Sequence, residues 1–115
     1  MKKVLVLVSG FLILIILVQC SSSKKAGKAP AITYNNSLMP IIMNNCVPCH
    51  VPAKGGNKKP YDIYQNVKTD IDEILRRIEL EPGQRGFMPF KKQTKLPDSV
   101  IAVFKQWKDG GLREK

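Results

Sequence analysis

Residues 46–50 read Cys46-Val47-Pro48-Cys49-His50. Two thiols with two residues between them, and a histidine directly after the second, form the C-x-x-C-H pattern of covalent haem attachment. The chemistry needs this spacing. Each thiol can add to one of the two vinyl groups on a haem edge, and the next residue then turns its imidazole to the iron. Rival readings of the same residues are weaker. A thioredoxin-like C-x-x-C expects a β-α-β pattern around it, which this sequence lacks. A zinc site needs four ligands, and two cysteines and one histidine are the local supply. A plain Cys46–Cys49 disulfide suits an exported protein but gives His50 no reason to follow.

Working outward, the chain of 115 residues holds one small domain, and part of its length is not fold. Lys2 and Lys3 precede an apolar run from Val4 to Val18, broken only by Ser9 and Gly10. Fifteen residues suit the core of an export signal better than a membrane span, which needs about 20. Residues 1–19 are therefore expected to be a signal peptide. An uncleaved anchor, or a cut further on near Ala29, are the other readings. Residues 20–33 are rich in Ser, Lys, Ala, Gly and Pro and are expected to form a flexible tether. The domain is then 34–115. A domain of this size buries a modest core and commonly needs a staple such as a metal or a cofactor.

Hydrophobic spacing predicts an all-α fold of three to four helices with long loops. The first helix is expected around Leu38 to Asn45, with Ser37 as cap, Pro40 in the first turn, and Met39, Ile42, Met43 and Cys46 as one stripe. The second is expected over about Asp70 to Leu80, capped by Thr69, with Ile71, Ile74, Leu75 and Ile78 facing inward. Its acids Asp70, Asp72 and Glu73 precede Arg76 and Arg77, which suits the helix dipole and i,i+4 pairing. A short helix is expected at Tyr61 to Asn66. The last helix is expected over Asp98 to Asp109, with stripe Val100, Val103, Phe104 and Trp107 and a stop at Gly110-Gly111. Two loops, Val51 to Val67 and Gln84 to Pro97, are long for so small a domain and need something central to organise them. A haem would do so.

His50 is the one histidine of the chain. This excludes bis-histidine ligation from this chain, a second haem of the same type, and any catalytic triad that uses another histidine. Methionine, lysine or no residue fills the sixth iron position. Met39 and Met43 lie on the stripe that leads into the motif and read as packing residues. Met88 lies in a loop, 38 residues beyond His50 and directly before Pro89, which stiffens the backbone there. It is the expected distal ligand. Tyr61, Tyr64 and Phe87 are candidates to wall the pocket, with ordinary core filling as the alternative.

These residues together resemble a small bacterial class I cytochrome c. The likeness covers about Ser37 to Gly111: a helix into Cys46-x-x-Cys49-His50, a Gly86-Phe87-Met88-Pro89 loop, and Leu96-Pro97-Asp98 opening a helix that ends Trp107-Lys108-Asp109-Gly110-Gly111. The resemblance implies one covalent haem c, His50 and Met88 as axial ligands, and a last helix that crosses the first so that Phe104 and Trp107 pack near the Met39–Cys46 stripe. Phe90 and Pro97 depart from the family pattern, which often has a second proline and a serine cap at these places.

Leu17-Val18-Gln19-Cys20 resembles the lipobox of bacterial lipoproteins, although Gln19 is larger than the small residue usual there. The likeness implies cleavage before Cys20, acylation of its thiol, and a membrane anchor facing the periplasm or the cell exterior.

The net charge is +10. It falls by two, to +8, without Lys2 and Lys3, and by three more, to +5, without Lys24, Lys25 and Lys28 of the tether. A basic surface suits a redox partner with an acidic docking face or an anionic lipid surface, and equally a plain solvated face. Lys54, Lys58, Lys59, Lys91, Lys92 and Lys95 are candidates to ring the haem edge. Nucleic acid is excluded as a partner, because the lysines are scattered without an aromatic reading face and the chain is expected outside the cytoplasm. The expected function is one-electron transfer by a monomer that is not an enzyme. The alternative is a haem-based ligand-binding, sensing or peroxidase-like module with an open iron site.

Overall fold

Thr33 opens the first helical segment. In the computed structural model, which describes residues 30–115, its hydroxyl accepts a hydrogen bond from the Asn36 amide at 3.3 Å. In return the Ser37 hydroxyl accepts from the Thr33 amide at 3.4 Å. This reciprocal cap starts the helix four residues earlier than the sequence predicts and makes Ser37 a supporting residue, not the cap itself. The first turn, Tyr34–Leu38, is π-helical, with the Met39 amide bonding back to the Tyr34 carbonyl. It runs on into α1 (Met39–Asn45), with Pro40 at its start, where the winding changes from π to α.

The packed chain begins before Tyr34. Thr33 is 3% exposed and Ile32 packs against the core, so both belong to the compact unit Ala31–Lys115 and not to a tether. The expected signal at 1–19, the acylation candidate Cys20 and the rest of the tether to residue 29 lie outside the described residues.

The second helix, α2 (Tyr64–Ile78), joins two segments that periodicity separated, the short helix at Tyr61 to Asn66 and the helix from Asp70. Thr69 does not cap it. Its hydroxyl donates to the Gln65 carbonyl one turn back at 2.8 Å, which satisfies the side chain within a continuing helix. Val67, fully buried, pins the junction to the core. At the other end Glu73 takes Arg76 at 2.7 Å and Arg77 at 2.6 Å, the expected acid-before-base pairing.

The third helix, α3 (Asp98–Asp109), has the predicted bounds. Its inward stripe is Ile101, Phe104 and Trp107, while Val100 and Val103 lie at the margin of the core. Gly111 ends it at φ +88°, a left-handed turn that glycine adopts without steric cost. This turn sends the C-terminal tail back across the molecule. Arg113 and Glu114 carbonyls accept from the Tyr34 and Asn35 amides at 2.9 and 3.1 Å, and the Arg113 carbonyl also takes the Trp107 indole N–H at 2.7 Å.

One core joins these elements: Tyr34, Leu38 and Ile42 from the first segment, the inner stripe of α2, Leu96, and the inner stripe of α3. Tyr34, Tyr64 and Trp107 meet as an aromatic trio with ring centroids 5.6–6.4 Å apart. The last helix thus reaches the π-helical turn through Trp107, while Phe104 and Ile42 of α1 line one cavity. Among the described residues there is no strand, and the fold is all-α. Among them, too, no helix is long and apolar enough to cross a membrane.

Candidate functional site

Where α1 ends, the chain makes one more turn, with the His50 amide bonding to the Cys46 carbonyl at 3.0 Å. The loop that follows is then laid against this turn. The Lys58 amide bonds to the Cys49 carbonyl at 3.0 Å, the Tyr61 amide to the His50 carbonyl at 2.8 Å, and Gly56 lies against the Pro48 and Cys49 carbonyls. Gly56 therefore has a structural use. Without a Cβ it lets backbone pass close to backbone.

The result is a cavity of about 600 Å³, within the roughly 300–1,000 Å³ of small-molecule and cofactor pockets. Cys46, Cys49 and His50 line it from one segment, and Met88 and Pro89 from another. Its apolar walls are Ile42 of α1, Ile74 and Ile78 of α2, Leu96, and Phe104 of α3. Of the described methionines only Met88 reaches it; the Met39 sulfur lies 3.9 Å from the Tyr34 hydroxyl instead. The Met88 loop is held to α2 by its own amide, which bonds to the Arg77 carbonyl at 3.2 Å, and to α1 by Lys92 Nζ on Asn45 Oδ1 at 2.8 Å.

His50 is fixed in two ways. Its Nδ1 lies 2.9 Å from the Lys59 carbonyl oxygen, which can only accept, so Nδ1–H is the donor, and in the neutral ring the lone pair falls on Nε2. Metal-ligating histidines are commonly oriented by such a bond. The imidazole also lies flat on the Tyr61 ring, with centroids 4.3 Å apart and planes 2° from parallel. Tyr61 in turn donates to Asp70 Oδ2 at 3.3 Å, and Lys59 Nζ meets Asp70 Oδ1 at 2.7 Å. Burial, then the Asp70 charge, raises the Tyr61 phenol to about 12, so it stays a donor at neutral pH.

Both motif thiols are unbonded. Burial pushes the Cys46 thiol up to about 11 against the lowering effect of Lys92, so it stands as a neutral group in an apolar wall. A thioether, also neutral, suits the same place. Among the described residues no three His, Cys, Asp or Glu side chains gather as a metal cage. The available donors are one imidazole nitrogen, one thioether and two thiols on one apolar cavity, a set that fits a covalently held iron porphyrin.

Several expected residues fall elsewhere. Tyr61 walls the cavity, but Tyr64 and Phe87 do not. Tyr64 donates to the Leu112 carbonyl at 2.9 Å beside Trp107, and Phe87 is buried in the fold. Lys58, Lys59, Lys91 and Lys92 stand on the cavity, whereas Lys54 does not and Lys95 pairs with Glu81 at 2.6 Å. Among the residues that sequence reasoning missed are Ile42, Ile74, Ile78, Leu96, Phe104, Asp70 and Arg77. The first three, with Phe104, lay on stripes read as core, and Asp70, Glu73, Ile74, Arg77 and Ile78 share one helical face by their spacing.

Comparison with protein-family models, with curated proteins and with solved structures finds no match for this chain.

Proposed function

We propose that the protein is a monohaem c-type cytochrome that carries single electrons between exported or membrane-bound redox partners and is not an enzyme. The observation that carries this reading is the convergence of Cys46, Cys49, His50 and Met88 on one apolar cavity of about 600 Å³. Bound there, a haem supplies a one-electron iron couple. The chain does the rest. Cys46 and Cys49 would hold the group by thioethers, His50 Nε2 and the Met88 sulfur would ligate its iron, and the Lys59 carbonyl keeps the imidazole in the tautomer that ligation needs. Ile42, Ile74, Ile78, Leu96 and Phe104 exclude water, which lowers the rearrangement that accompanies a change of charge.

Lys58, Lys91 and Lys92 stand on the same cavity beside Phe90, which is 66% exposed. Basic side chains around an exposed aromatic suit a partner with an acidic docking face. Export by residues 1–19 and anchoring through an acylated Cys20 belong to the same proposal and rest on the sequence alone.

The test is the optical spectrum of the matured full chain in both redox states, before and after carbon monoxide or cyanide. A low-spin ferric spectrum with the weak methionine–iron charge-transfer band at its red end is expected. Absence of that band together with ready ligand binding would favour an open-site sensor or peroxidase-like module instead.

A further inference from the structure

The His50 ring is under more constraint than a ligand needs in order to bind. The hydrogen bond from Nδ1 to the Lys59 carbonyl fixes one atom and leaves the ring free to swing about that bond. A flat stack on Tyr61 removes the swing, because rotation would drive the ring edge out of contact. Two constraints of different kind thus define one plane.

Tyr61 is itself held at four points. Its amide bonds to the His50 carbonyl at 2.8 Å, its carbonyl accepts from the Tyr34 hydroxyl at 2.9 Å, its hydroxyl donates to Asp70, and its ring faces His50. Asp70 is held by Lys59, the residue whose carbonyl holds His50. The circuit His50–Lys59–Asp70–Tyr61 closes on itself, through the Lys59 carbonyl at one link and side chains at the others.

We propose that Tyr61 is a positioning residue for the iron ligand. It sets the plane of the His50 imidazole, and with Asp70 behind it presents an electron-rich face to that ring. This rests on the haem reading above. The negative face of a phenol favours positive character on the stacked imidazole. Oxidation of the metal draws electron density from its ligand, so Tyr61 stabilises the oxidised form and lowers the potential.

The closing experiment uses the matured full chain and its Tyr61→Phe and Tyr61→Leu variants. Because the chain has one histidine, its ring signals are assigned by composition. In the reduced protein, a nuclear Overhauser contact between the His50 ring protons and the Tyr61 ring is expected. Tyr61→Phe should keep the ferric electron-paramagnetic g values close to native. Tyr61→Leu should shift them and raise the midpoint potential, with the methionine–iron band and both thioethers retained. Native g values and potential in Tyr61→Leu would overturn the proposal. Should that variant not accumulate, the native protein decides alone, since absence of the His50–Tyr61 contact overturns it equally. A chain that matures without covalent haem would sink the cytochrome reading instead; the ring contact, read on that chain, still reports whether Tyr61 positions His50.

Discussion

Gly56 lies so close beneath Cys49 that a Cβ built on it would stand 2.6 Å from the Cys49 carbonyl oxygen and closer still to that of Pro48. Both obstacles are backbone, so neither can rotate away. Gly56→Ala must therefore push residues 51–60 off the Cys46–His50 turn and loosen the bonds of Lys58 and Tyr61 to it. We expect a loss of about 3 kcal/mol, the upper end for overpacking, read as a lowered midpoint in urea. Haem incorporation should fall with it, while Gly55→Ala, which meets no atom and carries only the strain of a left-handed φ of +85°, should affect incorporation less.

Met88→Ala removes the one described methionine sulfur on the cavity. The red-end charge-transfer band should vanish, carbon monoxide should bind the reduced protein, and the midpoint potential should drop, because a soft thioether favours reduced iron. Met43→Leu should leave all three unchanged. A native spectrum in Met88→Ala would move the distal role to another residue.

Glu73 accepts hydrogen bonds from both Arg76 and Arg77, and these hold its carboxyl well below the ordinary value of 4.5, at about 2. A carboxylate whose pKa is lowered by folding stabilises the folded state above its unfolded value. That contribution fades as pH falls from about 4.5 to about 2. The native protein should thus lose thermal stability over this window more steeply than Glu73→Gln. The pair is exposed, so the difference in melting temperature should be small and should shrink further in high salt.

Trp107 is fully buried against Tyr34 and Tyr64, and its indole N–H holds the C-terminal tail through the Arg113 carbonyl. Trp107→Ala should cost about 3–5 kcal/mol, measured by denaturant unfolding. Trp107→Phe keeps most of the packing and loses the bond. It should cost less and should speed amide exchange at Tyr34 and Asn35, whose amides the tail covers.

The bounds of α3 and the apolar stripe of α2 were legible because a helix repeats every 3.6 residues and its stops are local. Asp98 and Gly110-Gly111 mark their own places. The junction of α2 was not legible, because Thr69 has the chemistry of a cap. In the fold its hydroxyl turns back to the Gln65 carbonyl and Val67 is buried in the core, so the helix runs through it. The start at Thr33 was hidden for a related reason. Tyr34 lies ahead of the expected helix and looks like part of a loop until the C-terminal tail and Trp107 are folded onto it.

The candidate site divides in the same way. Residues 46–50 determined the pairing of two thiols with one imidazole, since that chemistry depends on spacing along the chain. Composition determined that His50 would be alone. The tertiary structure decided that Ile74, Ile78 and Phe104 wall the cavity, that Met88 reaches it and Met39 does not, and that Tyr61 lies flat on His50. Periodicity tells which face of a helix avoids water but not what that face meets. A cavity wall and a core stripe have the same pattern until distant segments close around them.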